Sequence, residues 1–407
     1  MGANTAAGIN VNELADSAGI RDCLQFFTRE KQWINETQLQ FCRIPAPTFM
    51  EGERAAWFLE QLRGYGWEAS IDRAGNVIAT AGSEPFVALT AHLDTVLAPR
   101  NKEDISIDAG GRFHGPGVSD NGAGLAALLA VARSWKTCAK SPAADARRGL
   151  MLVANVGEEG EGNLLGIRHL CKQSSWAKKI HSFVIVDGAN TDHITTRALG
   201  SRRFEVTFTG PGGHSWSDFG VANPVHALCR AVALFADVRL DSGPKSSVNV
   251  GLIEGGSGVN AIAQTARAKV DIRSESNERM DDLVDLLTSS VDSARDQENQ
   301  RASGPRIAAK TREIGSRPAA ALPEQAPILQ FIRAVDAHLG IRSHLDCSST
   351  DANIPLSMGI PAIAIGAGGV GGGAHTTAEW FSPEGRDLGL KRILLTLLLA
   401  MRESNGK

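Results

Sequence analysis

Residues able to do metal chemistry stand at five places along the chain. His92 and Asp94 close the apolar stretch Phe86 to Thr95, Phe-Val-Ala-Leu-Thr-Ala-His-Leu-Asp-Thr. Alternate strand side chains share a face, so these two point the same way. An imidazole that binds a metal usually has its second ring nitrogen held by a carboxylate, and an i, i+2 pair at a strand end can supply that support. Asp120 lies in Gly-Pro-Gly-Val-Ser-Asp-Asn-Gly-Ala-Gly, and Glu158 and Glu159 close Leu-Met-Leu-Val-Ala-Asn-Val-Gly-Glu-Glu. Asp187 ends Phe-Val-Ile-Val-Asp-Gly, and His375 sits in Gly-Gly-Gly-Ala-His-Thr-Thr-Ala-Glu. Each fragment alone reads more simply as a solvated strand end, a turn or a surface histidine. Together, two imidazoles with three carboxylates form a borderline-to-hard ligand set suited to zinc, manganese or cobalt, without the thiolates of a structural zinc site. If one carboxylate bridges, five residues can hold two ions about 3.5 to 4 Å apart. Adjacent residues at a strand end point to opposite sides, so of Glu158 and Glu159 one can bind an ion while the other faces an attacking water as base.

Positioning such residues requires a sheet whose strands end together. After a stretch to about Ser17 that reads as loosely ordered, helical spacing runs from Arg21 to Arg43 and from Glu51 to Gly64, broken by Pro45 and Pro47. Short β patterns follow at 67–71, 77–81 and 86–91, then a small-residue helix at 122–135, a continuous apolar strand at 149–156, a helix at 163–172 and an apolar strand at 182–186. Apolar strands alternating with helices predict an α/β domain with a mostly parallel sheet sandwiched by helices. Ligands of such sheets bind outside the carboxyl ends of the strands, where all five sites could converge.

Near Gly200 the pattern changes. Residues 202–209 alternate polar and apolar, a helix opens at Asn223-Pro224, strands follow at 247–253 and 265–272, and a helix at 278–295 precedes a strand at 306–312. The order β-α-β-β-α-β predicts an inserted α+β ferredoxin-like domain over 199–313. The first domain, 1–198, then resumes over 314–407, with a helix at 327–339, a strand at 361–365 and a long apolar helix at 388–402.

With 407 residues, 21% charged and a net charge of −3, the chain reads as soluble and globular, with no nucleic-acid or membrane surface. No signal peptide or membrane span is expected. Cys23, Cys42, Cys138, Cys171, Cys229 and Cys347 are scattered without framework spacing and suit a reducing cytoplasm.

The ordered set of His-x-Asp, Asp before a small-residue helix, Glu-Glu, Asp, and His followed by Thr and then Glu379 resembles the M20 (M20/M25/M40) metallopeptidases over nearly the whole chain. The resemblance implies a zinc-peptidase-like catalytic domain with an inserted lid and dimerisation domain, hence a homodimer. It implies two divalent ions, Zn2+ or else Mn2+ or Co2+, bridged by Asp120, with Glu159 and His375 on one and His92 and Asp187 on the other. Asp94 is implied as the support of His92, Glu158 as general base, and a cis peptide is implied between Asp120 and Asn121. His214, in Gly-Pro-Gly-Gly-His-Ser, resembles the histidine that stabilises the tetrahedral intermediate, commonly in the partner subunit's site. Asn260 and Arg273 resemble positions that hold substrate backbone or carboxylate, although Ala263 stands where the family usually has Pro. The Gly-Gly-His-Ser loop and the Ser-Ser-Thr-Asp segment ending at Asp351 are most similar to the tripeptidase T-like branch, which implies an aminopeptidase acting on short peptides. An N-acyl-amino-acid amidohydrolase or a carboxypeptidase would share the same ligands.

Two remoter readings compete. Gly366-Ala-Gly368-Gly-Val-Gly371 spells the dinucleotide fingerprint, but no helix pattern opens at its last glycine, so the glycines read as a flexible loop beside His375. A binding module that has kept only the fold would be expected to lose a ligand or the base, and none is missing.

Overall fold

The protein is described here by a computed structural model covering residues 10–137, 145–240 and 243–403. It divides into two compact units, one comprising the chain up to Arg197 and from Ala321 onward, the other Ala198–Ala320. The segment 199–313 falls within the second unit.

Six strands of the main sheet of the first unit frame the site: β1 (Glu68–Ile71), β2 (Val77–Ala81), β3 (Phe86–His92), β4 (Gly149–Asn155), β5 (Ile180–Val186) and β6 (Ala362–Ile365). They lie in the order β1-β2-β4-β3-β5-β6. The four from β4 to β6 run parallel, whereas β1 and β2 are antiparallel at one edge and His193–Ala198 is antiparallel beyond β6. The sheet is therefore mixed, with its parallel part in the centre. The cause at the first edge is local, because Asp72 Oδ1 accepts the N–H groups of Ala74 and Gly75 and closes a turn too short for a parallel crossover.

Every residue of β3 and β4 is buried, as strands covered on both faces must be. Helix Gly122–Thr137 packs on β3 and β5, and its stretch from Gly122 to Ala132 is wholly buried. Parallel β4, β3 and β5 end on one edge of the sheet, with His92 level with Asn155.

Several expectations need correction. The region before Ser17 includes a helix, Val11–Asp16, capped by the Asn10 side chain. The helix expected over 21–43 is two, Ala18–Arg29 and Lys31–Cys42, parted at Glu30. The glycines before His375 are not a loose loop, since Val370–Gly372 pairs with Trp380–Ser382. A Cβ at Gly366 would lie 1.7 Å from the Ala189 carbonyl oxygen, so that glycine serves close backbone packing, and no helix opens at Gly371. Cys23 is disulfide-bonded, which the scattered spacing did not indicate, while Cys42, Cys171, Cys229 and Cys347 are free and Cys138 lies outside the described residues. Among the described residues no helix is long and apolar enough to cross a membrane.

The second unit is a four-stranded antiparallel sheet in the order Ser246–Gly255, Thr265–Ser274, Gly200–Thr209, Ala308–Arg317. Helices Pro224–Ala236 and Asn277–Arg301 pack on it, giving the split β-α-β topology. Alternation along Thr265–Ser274 sends Ala266, Ala268, Val270 and Ile272 into a core shared with Phe204, Phe208, Leu228, Phe235 and Leu287.

Phe208 is fully buried in that core. Phe208→Ala is expected to cost about 3–5 kcal/mol, the usual loss for a buried aromatic. Calorimetry should show the second unit's transition falling; an unchanged transition would contradict the packing described.

Candidate metal centre

The edge where β3, β4 and β5 terminate gathers the acidic residues. β3 ends at His92, the turn after β4 carries Glu158 and Glu159, and β5 runs into Asp187, whose N–H donates to the Ile365 carbonyl at 3.0 Å. Asp120 precedes helix Gly122–Thr137, and His375 follows the Val370–Gly372 strand.

The carboxylate of Asp120 lies between the two imidazoles. Its Oδ1 is 3.1 Å from His92 Nε2 and its Oδ2 is 3.0 Å from His375 Nε2. On the His92 side Asp187 Oδ1 stands 3.7 Å from the same Nε2, and on the His375 side Glu159 Oε1 stands 2.9 Å from Nε2. Potential ligand atoms of His92, Asp120 and Asp187 lie within 4.8 Å of one another, as do those of Asp120, Glu159 and His375. All five metal-ligand candidates thus come together in two groups sharing Asp120. The peptide between Asp120 and Asn121 is cis, as the resemblance implies.

Asp94 does more than its spacing suggests. The ring nitrogen Nδ1 of His92 meets the backbone carbonyl of Asp94 at 2.9 Å, and the carboxylate lies farther off, at 3.6 Å. That carboxylate also accepts the N–H groups of Glu158 at 3.0 Å and Glu159 at 2.9 Å, and the Thr48 hydroxyl at 2.9 Å. Asp94 therefore fixes the backbone that presents both glutamates.

The charged groups of the cluster shift one another's pKa values. Burial alone would depress the His92 imidazole, but the hydrogen bond to Asp120 and the nearby carboxylates of Asp187 and Asp94 outweigh it and raise its pKa well above the usual value. Hydrogen bonds to Asp120 and Glu159 push the His375 imidazole up to about 10.

 
Carboxylates on both sides thus raise both rings, and positive charge on the imidazoles offsets part of the negative charge of the cluster. Burial would raise Asp120, yet His375 and His92 bring it below the ordinary carboxylate range. This donor set fits divalent cations, which would take over the neutralising charge. Cys42, the thiol nearest the Asp120 loop in the hydrogen-bond network, is no competitor, since burial pushes it up to about 12 and its Sγ donates to the Gly117 carbonyl.

Residues not singled out from the sequence hold the site in shape. Glu379, noted there only as part of the motif, accepts the N–H groups of Gly117, Ser119 and Asp120, each at 2.8 Å. Asn121 donates to the Val186 carbonyl at 2.8 Å and accepts from Gly188 N–H at 3.1 Å, so it ties the Asp120 turn to both sides of Asp187. Arg54, fully buried, donates to the Leu93 carbonyl at 2.8 Å, between His92 and Asp94. Asp351 is 1% exposed; its Oδ2 accepts from Asn155 at 2.7 Å while Oδ1 has no partner, and burial pushes its pKa up to about 7.

The remaining candidates belong to the second unit. His214 is exposed, and its Nδ1 accepts the N–H groups of Trp216 at 3.2 Å and Ser217 at 3.4 Å, which leaves the proton of the neutral ring on Nε2. Asn260 is its neighbour, because His214 pairs with Ala261 and Ser215 N–H donates to the Asn260 carbonyl at 3.0 Å. Arg273 is not brought to that pair. It sits toward the far end of Thr265–Ser274 and donates to Asp271 at 2.7 Å.

A family model, peptidase family M20/M25/M40, matches residues 88–398. The chain belongs to that family, whose members are metal-dependent hydrolases. It is 29% identical over 223 residues to a peptidase M20 domain-containing protein of Schizosaccharomyces pombe, covering 52% of this chain and 51% of that one. It is 28% identical over 176 residues to succinyl-diaminopimelate desuccinylase of Paracoccus denitrificans, covering 41% and 45%. The chain spans about half the length of these curated relatives. In fold it is similar to a tripeptidase from Staphylococcus aureus, with a TM-score of 0.74 at 19% identity over 92% of this chain and 99% of that one. It is likewise similar to a dipeptidase of Saccharomyces cerevisiae, with a TM-score of 0.70 at 16% identity over 95% and 99%.

Asp351 gives a stability prediction for the metal-free protein. Its carboxyl stays protonated in the fold while the unfolded chain ionises near the ordinary value of 3.8, so it subtracts stability as pH rises from there to about 7. Asp351→Asn keeps an acceptor for Asn155 and cannot ionise. Its melting temperature relative to the wild type should climb between about pH 5 and about pH 8; a difference that stays flat or falls would contradict a carboxyl raised by burial.

Proposed function

We propose that the protein is a two-metal amide hydrolase acting on short peptides in the manner of an aminopeptidase or tripeptidase. The observation that carries this reading is the Asp120 carboxylate, which turns one oxygen to each of two imidazoles. His92, Asp187 and Asp120 would hold one ion, and His375, Glu159 and Asp120 the other, zinc being the first choice and manganese or cobalt the alternatives. When bound, the ions supply Lewis acidity, which makes water a nucleophile near neutral pH and polarises the substrate carbonyl.

The chain's own groups do the rest. Glu158 is buried beside His92 and Glu159, its backbone N–H held by Asp94. Its carboxylate takes the proton of the attacking water and delivers it to the departing amine nitrogen, which would otherwise be too basic to leave. His214, protonated on Nε2, donates to the carbonyl oxygen as negative charge develops there. Asn260 and Arg273 orient the substrate backbone or carboxylate, and the second unit serves as lid and dimer contact in a cytoplasmic homodimer.

A second reading, N-acyl-amino-acid hydrolysis, draws support from the desuccinylase among the relatives. Free-amine tripeptides and N-acylated amino acids, compared with zinc-, manganese- and cobalt-loaded protein, decide between them. The peptide reading expects the tripeptides to be preferred, and a preference for acylated amino acids would replace it.

Glu158→Ala should keep its metal and lose roughly 10²-fold or more in turnover, the usual scale of a general base. Near-normal turnover would remove Glu158 from that role. Asp120→Ala should release both ions, as read by metal analysis after dialysis; two ions retained per chain would contradict the bridge.

A further inference from the structure

Beside the carboxylate cluster the first unit exposes large apolar side chains on two neighbouring segments. Phe49 is 62% and Met50 70% exposed, and Val96 and Leu97, just past Asp94, are 43% and 36% exposed. The segments run side by side, since Thr95 N–H donates to the Ala46 carbonyl at 3.0 Å and Pro47 bridges Thr95 in parallel. Across the glutamate turn Leu165 is 42% exposed, its N–H donating to the Gly157 carbonyl at 3.0 Å. Isolated exposed apolar residues need no explanation, but a group of them around one site does.

This group is anchored to the site. Thr48, next to Phe49, donates to the Asp94 carboxylate at 2.9 Å. Buried Glu51 accepts Phe49 N–H at 3.1 Å and Gly157 N–H at 3.0 Å, which locks the turn to the backbone ahead of Glu158. Met50 N–H donates to the Pro47 carbonyl at 2.8 Å. Phe49 adopts a φ of 74°, a conformation disfavoured for a bulky side chain. The turn thus holds an aromatic ring outward in a strained geometry rather than letting it fold into the core. No charged residue occurs from Pro45 to Met50 or from Thr95 to Pro99.

We propose that Phe49, Met50, Val96 and Leu97 form the subsite for an apolar side chain flanking the scissile amide, so that the substrates are peptides with an aliphatic or aromatic residue at that position. An acidic or basic side chain there would lose its hydration with no partner on either segment. The inference rests on the amide-hydrolase reading and adds a substrate class to it.

The test uses the metal-loaded protein and short peptides varied, one position at a time, on each side of the scissile bond among Leu, Phe, Ala, Asp and Lys. The wild type should prefer Leu or Phe at one position. Phe49→Ala should lower kcat/KM for those peptides about tenfold, mainly through KM, and change the Ala-containing ones by no more than about twofold. Leu97→Lys should shift preference toward Asp at the same position. Cleavage without apolar preference, or an equal loss on every peptide in Phe49→Ala, would overturn the subsite and leave the amide reading standing. An altered oligomeric state with unaltered selectivity in Phe49→Ala would assign the patch to a second copy of the chain and overturn the subsite as well. Failure of the wild type to cleave any amide would overturn both.

Discussion

One carboxylate placed between two imidazoles sets the terms for the rest of the first unit. Asp120 can face His92 with one oxygen and His375 with the other only if its loop is fixed relative to β3 and to the hairpin after β6. Glu379 fixes it by accepting the N–H groups of Gly117, Ser119 and Asp120, and Asn121 ties it to the end of β5. A cluster so rich in carboxylates needs compensating charge, which the imidazoles provide in part in the metal-free protein and divalent cations would provide in the loaded one.

The parallel centre of the sheet gives the cluster its place. Adjacent strands β4, β3 and β5 end on one edge, so side chains far apart in sequence meet without long loops. Asp94 and Glu51 then lace the strand ends together through backbone N–H groups. The outcome is a rigid acidic centre with an apolar margin at Phe49 and Leu97. Chemistry and selectivity would thereby reside on neighbouring segments of the same scaffold.

Much of this could be read from the sequence, for a physical reason. Strands buried on both faces are apolar throughout, so a charged residue at the end of such a run stands out, as His92, Glu158 and Asp187 do. The inserted unit was legible because half-buried strands alternate and Asn223-Pro224 caps a helix. What stayed hidden depends on partners remote in sequence. Glu379 reaches back 262 positions to Gly117, and no local pattern announces that. Asp94 looked like a support for the His92 ring because spacing alone cannot separate a carboxylate from its own backbone carbonyl. Phe49 carried no signal either, since an exposed apolar residue becomes informative only when its neighbours in space are known. The edge hairpin of β1 and β2, and the break at Glu30, were lost to turns that periodicity does not register.

Whether Asp120 bridges a pair of cations is tested most directly by anomalous diffraction from crystals grown with zinc. Two peaks are predicted about 3.5 to 4 Å apart, one against each Asp120 oxygen, the first shared with His92 and Asp187 and the second with His375 and Glu159. A single peak, or peaks that leave Asp120 untouched, would contradict it.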